Sequence, residues 1–384
     1  MSTKFVNVED LRRAAKANMP RAMFDFVDGG ANDEWTQRRN QAAFERIMFD
    51  PRVLVDVSSR DQSTTVFGQR LETPILVAPT GLTSIAWPNA ELLAARAAGR
   101  AGAGFALSTF ASNSIEEIAG TGVGPRWFQL YVTKNRAWTL DLIDRAQAAG
   151  YQALAVTVDT QLPSMRERNI RNGYQSPPRI TLANVLDFAS HPGWLHRFLK
   201  GPRPTLANTP SVAALTASQF VELGNRVARE LDPSVSWRDL EQFRARWRGP
   251  MLLKGITSTR DVARALDVGV NGFIVSNHGG RQLDYAPASI EVLPEIVAAC
   301  ADRAEVYLDS GVRRGSDIVK AFALGARAVL VGRAYVYGLG ASGEEGVDHV
   351  FRILKDEIDR CLALIGVPSL SQVGRENLRF STGC

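Results

Sequence analysis

Eight short apolar runs, most of them trailed by a helical pattern, constrain this chain more than any other feature. They lie at Pro74 to Ala78, Gly104 to Leu107, Trp127 to Tyr131, Ala153 to Val158, Met251 to Lys254, Gly272 to Ser276, Glu305 to Asp309 and Ala328 to Val331. Helical patterns follow at Ala90 to Ala101, Arg136 to Ala149, Arg260 to Leu266, Ser289 to Ala299 and Ser316 to Leu324. Repeated strand–helix alternation predicts a parallel sheet, and eight such units close most naturally into a (β/α)8 barrel of the TIM type. A doubly wound open sheet would announce itself by a glycine-rich fingerprint after its first strand, whereas Pro79-Thr80-Gly81 stands there. Residues before Pro74 predict an N-terminal helical extension, with helices at Val8 to Ala17 and Arg21 to Val27. The connection between the fourth and fifth strands, Asp159 to Pro250, is far longer than a barrel needs. It reads as an insertion at about 176–215 and then two helices, around Ser218 to Leu231 and Ser236 to Trp247. The chain, 1–384, is read as one domain.

Composition removes whole classes of function. Cys300, Cys361 and Cys384 are too few and too scattered for a disulfide framework, a zinc site, an iron–sulfur cluster or a haem attachment, so no metal is expected and a reducing cytoplasm fits. Early acids at Glu9 and Asp10, without a continuous apolar region, argue against a secretory signal, and no apolar run approaches bilayer-spanning length. A formal charge of +5 is a weak pointer to acidic partners, and no nucleic-acid signature accompanies it.

Placed on a barrel, the polar residues at the strand ends fall on one mouth, where barrel enzymes keep their chemistry. They are Thr80, Ser108, Gln129 with Tyr131, Thr157 with Asp159, Lys254, Ser276 with His278, Asp309 with Gly311 and Arg313, and Gly332 with Arg333. The run Ser276-Asn277-His278-Gly279-Gly280-Arg281 ends a strand in a glycine-rich turn, so His278 and Arg281 can point into one cavity. A base beside a guanidinium suggests proton abstraction from an anion. Asp309-Ser310-Gly311-Val312-Arg313 enters a helix, and Gly332-Arg333 follows the eighth strand. Backbone amides, a helix N-terminus and two guanidiniums there predict a phosphate cradle, hence a phosphorylated cofactor.

With Asp28-Gly29-Gly30-Ala31 and Ser276 to Asp284, the chain resembles the FMN-dependent α-hydroxy-acid oxidase and dehydrogenase family, which includes glycolate oxidase, lactate dehydrogenase and mandelate dehydrogenase. Met165-Arg166-Glu167-Arg168, His191-Pro192-Gly193-Trp194 and Leu206-Ala207-Asn208 are similar to the mandelate dehydrogenase branch. The resemblance implies FMN as cofactor, His278 as base and Asp159 as the carboxylate orienting it. It further implies Arg166 and Arg281 on the substrate carboxylate, Tyr131 on the substrate hydroxyl, and Lys254 beside the flavin pyrimidine. Ala78, Pro79, Thr80, Ser108, Gln129, Thr157 and Ser276 would hold the ring and ribityl chain. Asp309, Gly311, Arg313, Gly332 and Arg333 would hold the ribityl chain and phosphate. A homo-oligomer, tetramer or octamer, is expected on the same ground.

The chain departs from the family at Phe26, where many members carry a tyrosine that helps bind the substrate carboxylate. With Phe110 and Met165, this predicts a pocket for a bulky, aromatic or long-chain 2-hydroxy acid. Gly81, where oxidases of the family typically carry alanine, leans toward a dehydrogenase using a quinone or other carrier, with oxygen as the alternative acceptor. An oxidase acting on another carboxylate-bearing substrate such as an amine, and a non-catalytic flavin-binding membrane-docking module, are the rival readings. In the insertion, apolar and aromatic residues from Ile180 to Leu199 alternate with Arg179, Arg197, Lys200 and Arg203, and Asp187 is the sole acid between Arg179 and Arg203. Such a segment suits peripheral contact through about 176–215 with the cytoplasmic membrane face, or a loop that covers the site or packs on a neighbouring subunit.

Overall fold

The computed structural model describes residues 5–173, 181–202, 204–210 and 229–380. Eight parallel strands close into a barrel: β1 (Ile75–Val77), β2 (Gly104–Ser108), β3 (Arg126–Leu130), β4 (Ala153–Thr157), β5 (Met251–Ile256), β6 (Gly272–Val275), β7 (Glu305–Leu308) and β8 (Val329–Val331), with β8 pairing back onto β1. All eight expected strands are present within a residue or two, and the barrel displaces the open-sheet alternative.

Each strand is apolar on both faces because both faces are buried. Outward residues such as Ile75, Val77, Phe105, Leu107, Phe128 and Leu130 pack beneath the surrounding helices. Inward residues form a separate cluster, in which Leu76, Ala106, Trp127, Ala155, Leu252, Ile274, Tyr307 and Leu330 fill the barrel. A short antiparallel hairpin, Thr64–Val66 with Gln69–Leu71, adds Val66 and Leu71 to this interior and sets Phe67 against Trp127 and Tyr307, at ring separations of 5.8 and 5.7 Å. The barrel is therefore a packed core rather than a pore, and the cavity at its mouth lies at the opposite, C-terminal end of the strands.

The helices start and stop where local chemistry directs. Asn7 and Asn135 accept hydrogen bonds from Asp10 N and Trp138 N, Ser114 forms a capping box with Glu117, and Gly102 ends Ala90–Ala101 in the left-handed region. Val8–Asn18 and Arg21–Asp28 form the expected extension. A third helix, Trp35–Glu45, had no counterpart in the sequence reading. Its N-terminus is capped from far along the chain, since Asp284 accepts from Trp35 N and Thr36 N at 3.3 and 2.8 Å. Asp28 ties the extension down: its buried carboxylate receives Arg12, Arg168 and the Tyr337 hydroxyl at 2.6, 2.9 and 2.7 Å. Burial would raise this carboxyl, but those three donors outweigh burial and hold it well below the ordinary carboxylate range.

In the insertion, helices Leu182–Ala189 and Pro192–Lys200 are described, as is Trp237–Arg246 after it. The helix expected around 218–231 falls almost wholly outside the described residues. The insertion is not a detachable appendage. Trp194, Leu206 and Asn208 are buried, the Trp194 indole donates to Ile85 O at 2.8 Å, and Asn208 Oδ1 accepts from Ile115 N at 3.0 Å. Leu182, Val185, Leu186 and Leu199 are nonetheless exposed. Among the described residues, no helix is long and apolar enough to cross a membrane.

Candidate active site

The alternation that fills the barrel also builds its mouth. Counting upward in twos from the apolar interior leads from Ala78 to Thr80, from Ala106 to Ser108, from Trp127 to Gln129 and Tyr131, and from Ala155 to Thr157 and Asp159. On the other four strands it leads from Leu252 to Lys254, Ile274 to Ser276 and His278, Tyr307 to Asp309 and Gly311, and Leu330 to Gly332. These residues surround a cavity of about 650 Å³. Phe26, Ala78, Pro79, Thr80, Phe110, Tyr131, Met165, Arg166, Lys254, His278, Arg281, Asp309, Gly311, Arg313, Gly332 and Arg333 line it. Ser108, Gln129, Thr157, Asp159 and Ser276 stand outside that lining. Ser108 Oγ caps its own strand by accepting from Phe110 N at 3.3 Å, while Ser276 Oγ receives Lys254 at 2.9 Å and His278 N at 3.0 Å. Sequence reading missed Thr160, Ser164, Asn169 and Leu231 in the lining, which come from the long connection after β4, Asn169 from its short helix Glu167–Arg171.

His278 itself adopts a left-handed backbone, φ 58°, followed by Gly279 and Gly280 with φ 67° and 72°. The turn swings the imidazole between two partners. Nδ1 lies 3.1 Å from Asp159 Oδ2 and Nε2 lies 3.0 Å from the Tyr131 hydroxyl. An ionised carboxylate only accepts hydrogen bonds, so Nδ1 carries the proton and Nε2 accepts from the Tyr131 hydroxyl. Asp159 is ionised: burial opposes this, but His278 and Lys254 prevail and hold its pKa below the ordinary value. Burial carries His278 below the ordinary histidine value, Asp159 pulling the other way. Burial likewise pushes the Tyr131 phenol up to about 12, so it remains a donor. Gly255, at the β-bulge that ends β5, leaves room for this arrangement, because a Cβ there would come within 2.5 Å of the Asp159 carboxyl carbon.

Arg166, Arg281 and Arg333 meet around the same cavity. Burial and the neighbouring guanidiniums Arg166 and Arg333 depress Arg281 well below its ordinary pKa, and burial pulls Arg333 down to about 10. A guanidinium does not give up its proton, so both remain charged, and burial is the main cause of the two shifts. Arg281 donates to Phe26 O and Gly29 O at 2.8 and 2.9 Å, and Arg333 donates to Val27 O, Gly29 O and Gly279 O. The two therefore cap the carbonyl end of Arg21–Asp28.

Two observations bear on a cofactor. Gln129 donates to Thr157 Oγ1 at 2.7 Å, which leaves its buried Oε1 without a partner and ready for a donor from the cavity. Lys254, in the barrel axis, pairs with Asp309 at 2.9 Å; burial alone would lower its pKa, but Asp309 and Asp159 override it and keep the ammonium charged. Of the two helix N-termini at the expected phosphate cradle, the one after β7 is already satisfied. Asp317 accepts from Arg313 N and Arg314 N at 2.9 and 3.0 Å, and Glu357 from Gly315 N at 2.7 Å. That corrects the expectation of a free helix end there. The helix run Arg333–Ile365 after β8 has no side-chain cap. Its first amides, beside Arg313 and Gly311, suit a phosphate.

A family profile described as FMN-dependent dehydrogenase matches residues 15–380. The chain belongs to this family. It is 42% identical over 379 residues to (S)-mandelate dehydrogenase of Pseudomonas putida, covering 99% of this chain and 95% of that protein. It is 40% identical over 375 residues to glycolate oxidase 1 of Oryza sativa subsp. indica, covering 98% and 96%. A crystal structure of the monotopic membrane protein (S)-mandelate dehydrogenase superposes with a TM-score of 0.93 at 41% identity, covering 99% of this chain and all of that one. The chain is thus an oxidoreductase that takes FMN and oxidises 2-hydroxy acids. The unpaired Gln129 oxygen, the charged Lys254 and the uncapped helix end fit that cofactor's ring and phosphate.

Because the imidazole accepts a proton only when neutral and its pKa is lowered, kcat/KM for flavin reduction should hold steady as the pH falls through the ordinary histidine value of about 6.5 and decline only below it. Stopped-flow reduction across pH would contradict this assignment if the acid limb centred at or above that value.

Proposed function

We propose that the enzyme oxidises a bulky or aromatic, mandelate-like 2-hydroxy acid to the 2-oxo acid and delivers the electrons to a quinone or another carrier. The contact that carries the reading is His278 held between Asp159 and Tyr131, beside the guanidiniums of Arg166 and Arg281, which make no ion pair with a carboxylate among the described residues. Arg166 and Arg281 hold the substrate carboxylate, which orients the α-carbon toward Nε2. Tyr131 donates to the substrate hydroxyl, Nε2 takes a proton from the bound acid, and Asp159 stabilises the imidazolium that results. Bound FMN supplies the electron-pair acceptor for this oxidation. Gln129, Lys254, Thr80 and Ser276 would hold its ring and ribityl chain, and Arg313, Gly311, Gly332 and Arg333 its phosphate end.

The preference for a large side chain rests on the apolar wall of the cavity. Phe110 is buried and stacked on Tyr131 at 5.1 Å, and the Phe26 ring lies 5.4 Å from the Arg281 guanidinium carbon. Gly81, at the position where oxidases of the family typically carry alanine, favours a dehydrogenase over an oxidase. Its backbone is not left-handed, yet a Cβ would come within 3.1 Å of Phe110 O, so a side chain there would crowd the cavity wall. The exposed Leu182, Val185, Leu186 and Leu199, together with the likeness to a monotopic membrane protein, support peripheral membrane contact through the insertion, the route by which a quinone would be reached. The whole chain acts as one catalytic unit, assembled as a homo-oligomer.

His278→Asn is expected to retain FMN while anaerobic flavin reduction slows by about 10²–10⁴-fold, and near-normal reduction would remove His278 from the chemistry. Phe26→Tyr should shift the kcat/KM ratio about ten-fold toward small acids such as lactate, because a hydroxyl beside Arg281 adds a carboxylate contact and narrows the pocket; an unchanged ratio means Phe26 does not set specificity. The wild type should co-sediment with anionic vesicles at low salt, and replacing Leu182, Val185, Leu186 and Leu199 by serine should abolish this while leaving Trp194 and the core in place. Equal sedimentation of the two proteins rejects membrane docking.

A further inference from the structure

The two guanidiniums that face the substrate carboxylate repel each other, yet they must stand at a fixed spacing to grip one anion. A carboxylate between them would fix the spacing and also cancel the charge the substrate needs. A neutral hydroxyl solves both problems, and Ser164 supplies it. Its Oγ accepts from Arg166 Nε at 3.2 Å and donates to the backbone oxygen of Arg281. Gln282 makes two further links between the same loop and turn, donating to Asp159 O and Leu162 O at 3.1 Å each. Among the described residues, Ser164 is the link in this seam that also reaches a guanidinium, and it is one of the residues lining the cavity.

We propose that Ser164 is a positioning residue for substrate recognition, setting Arg166 against Arg281 so that both address one carboxylate. This rests on the reading that the two arginines bind that carboxylate. Ser164 touches neither the reacting atoms nor His278, so its loss should appear in substrate binding and not in the chemical step. A hydrogen bond to a charged group, lost from a preorganised pair, corresponds to about ten-fold weaker binding.

The test is anaerobic stopped-flow reduction of the FMN-loaded enzyme by mandelate. For Ser164→Ala the half-saturating substrate concentration should rise about ten-fold, with the limiting reduction rate within about three-fold of wild type and FMN affinity unaltered. Ser164→Thr, which keeps the hydroxyl, should restore binding. Half-saturation within two-fold of wild type for Ser164→Ala overturns the proposal, as does an equal defect in Ser164→Thr or a parallel loss of FMN. Arg166→Gln separates the two levels of the reading. If that variant binds mandelate normally, the carboxylate assignment fails; if it binds weakly while Ser164→Ala binds normally, only the role of Ser164 fails.

Discussion

Closing eight parallel strands into a ring forces every second residue inward, and a packed interior then decides what those residues are. Below the mouth the inward positions must be apolar and complementary in size, which is why Trp127 and Tyr307 stand among Ala106, Ala153 and Ala155 with Phe67 against them from the hairpin below. At the top the same rows run out of packing partners and become polar. The transition takes one step on each strand, from Leu252 to Lys254 or from Ile274 to Ser276, so the depth of the site is set by the height at which the hydrophobic filling stops. This geometry explains why residues scattered from Thr80 to Arg333 converge without any local motif to bring them together.

Electrostatically, the mouth is divided in two. Along the barrel axis the titratable groups are paired: Lys254 has Asp309 as its counter-ion, and the neutral His278 donates from Nδ1 to Asp159. Such pairs hold protonation states in place where an isolated buried charge would cost several kcal/mol. On the side facing the N-terminal extension, Arg281 and Arg333 rest on backbone carbonyls at the end of Arg21–Asp28, whose dipole offers roughly half a negative charge. Carbonyl dipoles steady the guanidiniums without neutralising them. An anion entering the cavity finds positive charge already oriented, with the neutral imidazole of His278 beside it.

Sequence patterning made the barrel legible because strands buried on both faces leave uninterrupted apolar runs, and the parity of those runs predicts which strand-end residues turn inward. Asp159 and His278 could be paired only through a family resemblance, since 119 positions separate them and nothing periodic links them. The structure adds what periodicity does not encode. The bulge at Gly255, the left-handed backbone of His278 and the hydroxyl of Ser164 are single-residue features of irregular chain. The helix Trp35–Glu45 went unread for a similar reason, its cap arriving from Asp284 rather than from a neighbouring residue. The helix end after β7 looked open from its glycines and arginines, yet acids at 317 and 357 had already taken its amides.

The carbonyls of Phe26, Val27 and Gly29 that receive Arg281 and Arg333 connect parts of the chain more than 250 residues apart. During synthesis the extension leaves the ribosome first, long before the barrel that it completes exists. It has little of its own to fold on until β6 and β8 have closed the ring and brought the two arginines to its carbonyl end. The cavity thus acquires its outer wall only in a finished chain: a partly folded or truncated molecule exposes guanidiniums with loose geometry, and flavin chemistry in a half-built site is disfavoured by the order in which long-range contacts can form.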